Sequence, residues 1–137
     1  MRYFDTGVLL KLYLPEPRFV NDSSGKPPVN PLHELEMRSA LRQKAGRGGL
    51  TQSERDALID QVKNDITTGV RERMTASWPD VFASAEALSA AHGIGTLCRS
   101  LDTLHVALAL ELGATEFCTF DLRQSRMAAA AGLTVIS

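Results

Sequence analysis

The sequence predicts an α/β fold: a mostly parallel sheet with helices covering both faces. Three observations carry this. Short strand-like runs alternate with helix-length segments, the order expected of strands joined by helical crossovers. Two of those runs end alike, "RYFD-TG" at residues 2–7 and "CTFD-LR" at residues 118–123, each an aromatic, an aspartate and then a turn into a helix. A chain of 137 residues that is 44% hydrophobic suits a single domain, 1–137, with a sizeable core.

Taken in order, Arg2-Tyr3-Phe4 starts a strand and stops at Asp5. An apolar helix follows over Val8–Leu14. Residues 15–31, "PEPRFVNDSSGKPPVNP", hold five of the six prolines and read as loop. A helix runs from about Leu32 to Lys44 and breaks at "KAGRGGL". "TQSE", Thr51 to Glu54, has capping-box spacing and opens a helix with Leu58, Val62 and Ile66 on one stripe, fraying near Gly69. "RMTAS", 73–77, reads as a short strand. Pro79 suits the first turn of the next helix and Gly93 its end. Ser100 is placed to cap a further helix that closes at Gly113, with Leu101, Leu104, Leu108 and Leu112 inward. "EFCTF", 116–120, is a strand, "LRQSRMAAAA" a helix ended by Gly132, and "LTVI" the last strand.

Composition excludes several classes. No apolar run approaches the roughly 20 residues of a membrane span. The first residues lack a signal-peptide pattern. Cys98 and Cys118 stand apart in apolar surroundings and read as buried thiols, which fits a cytoplasmic setting. The formal net charge is -1, with no basic excess to mark a nucleic-acid binder. Nucleic-acid chemistry would therefore need metal ions or a local basic patch.

The carboxylates are the informative residues. Aspartate is a poor strand former, and ligands of open parallel sheets sit beyond the strands' carboxyl ends. Asp5 and Asp121 face that crevice if their strands are neighbours. Asp5 or Thr6 is equally placed to cap the helix that follows. Asp102 opens the almost wholly apolar "SLDTLHVALALELGA" and is set at the mouth of a cleft; an exposed acid complementing the helix dipole is the other explanation. In "LHELEMRSAL", Glu34 has Arg38 at i+4 and reads as an exposed ion pair. Glu36, with Leu32 at i−4 and Ser39 and Ala40 beyond it, reads as the inward acid, which is costly unless paired or metal-bound. Crowded carboxylates and Mg²⁺ suit each other, because Mg²⁺ prefers oxygen donors and relieves their repulsion.

"FDTG", "HELEMRSALR", "CRSLDTLHVALALELGA" and "FCTFDLRQSRMAAAAGLTVIS" together resemble the PIN-domain family of nucleases, most of all its VapC-type toxins. The resemblance covers nearly the whole chain. It implies a three-layer α/β/α sandwich with a central, mostly parallel sheet. It also implies Mg²⁺- or Mn²⁺-dependent endoribonuclease activity, a homodimer and inhibition by a cognate antitoxin. The family's acids fall on Asp5, Glu36, Asp102 and Asp121, with Thr6 and Thr119 at the hydroxyl positions beside them. The resemblance further implies in-line attack of water that leaves a 5′-phosphate and a 3′-hydroxyl. Arg123, Arg126, Lys44 and Arg47 are candidates for RNA phosphate contacts or for solvated surface. The chain departs from the family where only 13 residues separate Pro17 from Pro31, a stretch in which relatives usually carry more. Gly7 stands where many relatives have serine.

Rival classes weaken on the residues. His33, His92 and His105 match no usual zinc spacing, and His105 reads as a hydrogen-bonded core residue. Phosphoacceptor receivers need a late lysine, whereas Lys11, Lys26, Lys44 and Lys63 all come early. Dehalogenase-type phosphatases need an acid where Gly7 stands. A PIN-like module that binds antitoxin or RNA with little catalysis remains the alternative.

Overall fold

The computed structural model describes residues 1–14 and 26–137. The chain divides into two compact units, one of Met1–Val8 with Thr75–Ser137 and one of Leu9–Met74. Much of the loop expected over residues 15–31 lies outside the described residues.

The first unit is built on a parallel sheet of β1 (Arg2–Phe4), β4 (Glu116–Cys118) and β5 (Thr134–Ile136), in the order β1-β4-β5. Tyr3 sits opposite Phe117 and Phe4 opposite Cys118. Tyr3 and Phe117 are fully buried and stack with ring centroids 5.5 Å apart. That pairing answers why the strands begin as aromatic runs: adjacent large side chains bury much apolar area and fix the register. Three helices belong to the same unit: α4 (Trp78–Thr96), α5 (Ser100–Glu111) and α6 (Leu122–Ala130). α1 (Thr6–Leu10) begins in this unit and crosses into the other.

α5 is buried without a break from Thr103 to Ala109, so the apolar run is a core helix rather than an amphipathic one. Leu104 and Leu108 are inside as expected. Leu101 is not. It is 51% exposed. Arg99, not Ser100, occupies the N-cap, and no side chain caps there. Gly93 does not end α4 either. The helix runs on to Thr96, and Leu97 takes the left-handed conformation at φ 55°, its N–H bonded to the Gly93 carbonyl. A non-glycine residue there costs on the order of 1 kcal/mol. Pro79 lies in the first turn, as its fixed φ favours.

The second unit holds α2 (Pro31–Gly46), α3 (Gln52–Thr67) and a two-stranded parallel pair, β2 (Pro28–Val29) with β3 (Glu72–Arg73). β2 falls inside the stretch expected to be loop, and β3 covers only the start of the expected 73–77 strand. Both are too short to leave a periodic signal. The helix starts follow their caps. Asn30 accepts from the N–H groups of Leu32 and His33, while its own N–H donates to His33 Nδ1. Thr51 and Glu54 form the reciprocal box the spacing predicted. α1 is shorter than Val8–Leu14: after Leu10 the chain tightens into turns, with Leu12 and Tyr13 bonded back to Leu9 and Leu10. Tyr13 stays buried by donating its hydroxyl to Asp65 and accepting from Arg71.

Candidate functional site

The strands of Asp5 and Asp121 are neighbours, and parallel, so both acids follow the same end of the sheet. One residue past β1, the Asp5 N–H donates to the Cys118 carbonyl. One residue past β4, the Thr119 N–H donates to the Ile136 carbonyl. The ladder thus carries Asp5 and Thr119 to the rim side by side.

Each Asp5 oxygen has its own work. Oδ1 accepts the Val8 N–H at 2.7 Å, so the helix-cap role is present. Oδ2 lies 2.7 Å from Thr119 Oγ1. Cap and site residue are therefore compatible roles of one carboxylate.

Thr119 is fully buried and its hydroxyl has three neighbours. Oγ1 accepts the Asp121 N–H at 3.0 Å, and it lies 2.8 Å from Gln124 Oε1 as well as close to Asp5. Gln124 Nε2 donates to the Asp102 carbonyl at 3.2 Å, which fixes the amide's orientation, since a carbonyl only accepts. A hydroxyl has one hydrogen, so Thr119 can donate to Gln124 or to Asp5 but not to both. When Gln124 takes it, a protonated Asp5 completes the network by donating to Thr119. The electrostatics agree. Burial raises the Asp5 pKa above its ordinary value, against the bonds from Thr119 and the Val8 N–H and the nearby His105, and the charge of Asp102 adds to the rise.

Asp121 caps α6, its Oδ1 accepting the Gln124 N–H at 2.8 Å, and it is exposed. Asp102 stands in the first turn of α5, partly buried, with Arg99 Nε 3.6 Å from Oδ2. Arg99 is 77% exposed, so this pair contributes little. Cys98 is near both acids: burial chiefly raises its thiol pKa, and the charges of Asp102 and Asp121 raise it further. Cys98 and Cys118 are free thiols.

Behind Asp5, His105 is clamped. Tyr3 OH lies 2.8 Å from Nδ1 and Thr6 Oγ1 lies 3.2 Å from Nε2. Tyr3 and His105 are buried, so this chain anchors Thr6 from the core. His105 is the hydrogen-bonded core residue expected of it.

Asp5, Asp102, Thr6, Thr119 and Asp121 thus come from one unit, and Asp5, Thr119, Asp121 and Asp102 are joined through Gln124. Among the described residues, no group of three or more His, Cys, Asp or Glu side chains is arranged to hold one metal ion. The donor chemistry nonetheless fits Mg²⁺ or Mn²⁺. Mg²⁺ is commonly held by one or two carboxylates and keeps several waters. Asp5 and Asp102 raise each other's electrostatic cost, a repulsion that a cation removes.

The two glutamates belong to the second unit, and one expectation is corrected there. Glu34 is not on a solvated face; it is 8% exposed. The expected Arg38 contact exists at 3.3 Å, but Arg73 adds a two-point contact, Nε to Oε2 at 3.2 Å and Nη2 to Oε1 at 2.7 Å. Glu34 therefore ties α2 to β3, which accounts for its burial. Glu36 is partly buried on α2. Arg123, Arg126, Lys44 and Arg47 are exposed.

Gln124 is the residue that the motif order did not single out. Its signal was the D-x-x-Q spacing from Asp121, a capping-box pattern that hides an inward side chain.

The PIN domain family model matches residues 2–130, and the chain belongs to that family. PIN domains are generally nucleases. Among solved structures, the chain is similar to FitAcB from Neisseria gonorrhoeae, at a TM-score of 0.68 and 15% identity, covering 100% of this chain and 97% of that one. That likeness establishes the α/β fold with its central parallel sheet. No curated protein matches the chain. Among the described residues, no helix is long and apolar enough to cross a membrane.

Proposed function

We propose that the protein is a metal-dependent endoribonuclease, the toxin of a toxin–antitoxin pair, that hydrolyses RNA phosphodiester bonds. The observation that supports this most is the parallel register of β1 and β4, which sets Asp5 beside Thr119 and sends Asp121 beyond the same sheet end. Family membership supports nuclease chemistry, the likeness to FitAcB supports the fold, and the toxin role with an antitoxin partner rests on the resemblance of the motifs to VapC-type members of the family.

In this proposal Asp5, Asp102 and Asp121 hold Mg²⁺ or Mn²⁺. Bound there, the ion would acidify a water and offset charge on the scissile phosphate. Asp5 is kept in place by the Val8 N–H and by Thr119. Thr119 holds the orientation of Asp5, and Thr6, anchored on His105, orients a water or an acid at the rim. A carboxylate of the set serves as base toward the attacking water. Glu36 is proposed as a further acid on the motif order alone. Homodimer formation and a cytoplasmic location belong to the same proposal. The test is RNA cleavage by the purified chain with Mg²⁺ and with excess chelator. Binding of RNA or antitoxin without cleavage would favour the non-catalytic PIN-like module instead.

A further inference from the structure

We infer that Gln124 is a positioning residue that sets the affinity of the carboxylate site for its divalent ion. This rests on the metal-nuclease proposal above and assigns a further residue to it. Gln124 is 1% exposed. Its amide spans two segments that each carry an acid. Oε1 meets Thr119 at 2.8 Å, and Thr119 in turn meets Asp5 at 2.7 Å. Nε2 donates to the main-chain carbonyl of Asp102 at 3.2 Å. Its main-chain N–H is taken by Asp121 Oδ1 at 2.8 Å. One buried side chain therefore connects the rim of the sheet to the first turn of α5, while its backbone orients the third acid.

A purely structural amide would need partners but not these partners. Buried amides cost stability when unpaired, and any carbonyl or hydroxyl would satisfy this one. Here both ends contact residues that hold or adjoin site acids. Losing them lets the Asp102 turn and the Thr119 corner move independently, which loosens the ion's donors without removing one. Substitution of groups behind a metal's ligands commonly costs about tenfold or more in metal affinity.

The variant is Gln124→Met, which fills similar volume without hydrogen-bonding groups. Mn²⁺ binding is measured on the full-length protein by titration with paramagnetic detection of free Mn²⁺, and RNA cleavage is measured across Mg²⁺ concentration. We expect the Mn²⁺ Kd and the half-saturating Mg²⁺ concentration each to rise about tenfold. The rate at saturating Mg²⁺ should stay within about threefold of wild type, because no donor is lost. A folded variant with a lowered Tm but unchanged metal constants overturns the inference and leaves Gln124 as packing. If the methionine variant does not fold, Gln124→Asn is judged by the same criterion; it keeps the amide but is a methylene too short to span both partners. Wild type that binds Mn²⁺ without cleaving RNA refutes the nuclease proposal while the Mn²⁺ constants still decide the role of Gln124. Wild type that does neither overturns both.

Discussion

Replacing Asp5 by asparagine should stabilise the protein at neutral pH while abolishing cleavage. The shape is kept, and Oδ1 of asparagine caps the Val8 N–H as the carboxylate does. The amide NH₂ can then donate to Thr119 Oγ1, leaving the Thr119 hydrogen for Gln124 Oε1 and satisfying every contact of that hydroxyl. The wild type reaches the same pattern only when Asp5 is protonated. The pH dependence follows. Burial raises the folded pKa of Asp5 above 3.8, so between those values the folded state binds more protons than the unfolded one. Stability from this group is complete below the unfolded pKa and is lost as pH rises through the folded pKa. One proton changes stability by at most about 1.4 kcal/mol per pH unit in that window. Asp5→Asn lacks the loss, so its advantage should grow with pH across the window and then level off. The assay is urea denaturation of both proteins in chelator at steps from about pH 4 to about pH 8. A variant less stable than wild type at neutral pH, or a difference independent of pH, would refute the network.

Two further substitutions separate the glutamates of α2. Glu34→Ala should lower Tm by about 5 °C, since it leaves Arg38 and Arg73 without their shared carboxylate, and should not change the metal dependence of cleavage. An unchanged Tm in a thermal melt would show that pairing to be idle. Glu36→Gln should raise the Mg²⁺ concentration needed for half-maximal cleavage with little change in Tm; cleavage kinetics identical to wild type across Mg²⁺ would remove Glu36 from the site.

The rim of the sheet was legible in the sequence because aspartate is out of place at the end of an aromatic strand. Asp5 and Asp121 announced themselves in that way, but that their strands are neighbours was open in the sequence and comes from the pairing of β1 with β4. The Thr51–Glu54 capping box was legible for a similar reason, since its partners are three residues apart. Glu34 was misjudged because only Arg38 is visible at helical spacing. The partner that accompanies its burial, Arg73, is 39 positions away and on another element. Gly93 misled because glycine usually ends a helix, yet here Leu97 takes the positive φ. β2 begins with a proline and has two residues, so neither propensity nor alternation marked it. Gln124 was hidden by its own capping position: the local pattern accounts for its backbone N–H and says nothing of where its amide goes.

The most direct test of the metal-dependent carboxylate site is cleavage of RNA by the purified protein as the divalent ion is withdrawn and returned. Cleavage with Mg²⁺, its loss in excess chelator, its return with added Mg²⁺ or Mn²⁺, and its absence in Asp102→Asn under every condition are predicted. Cleavage that continues undiminished in chelator, or that survives in Asp102→Asn, would contradict the account.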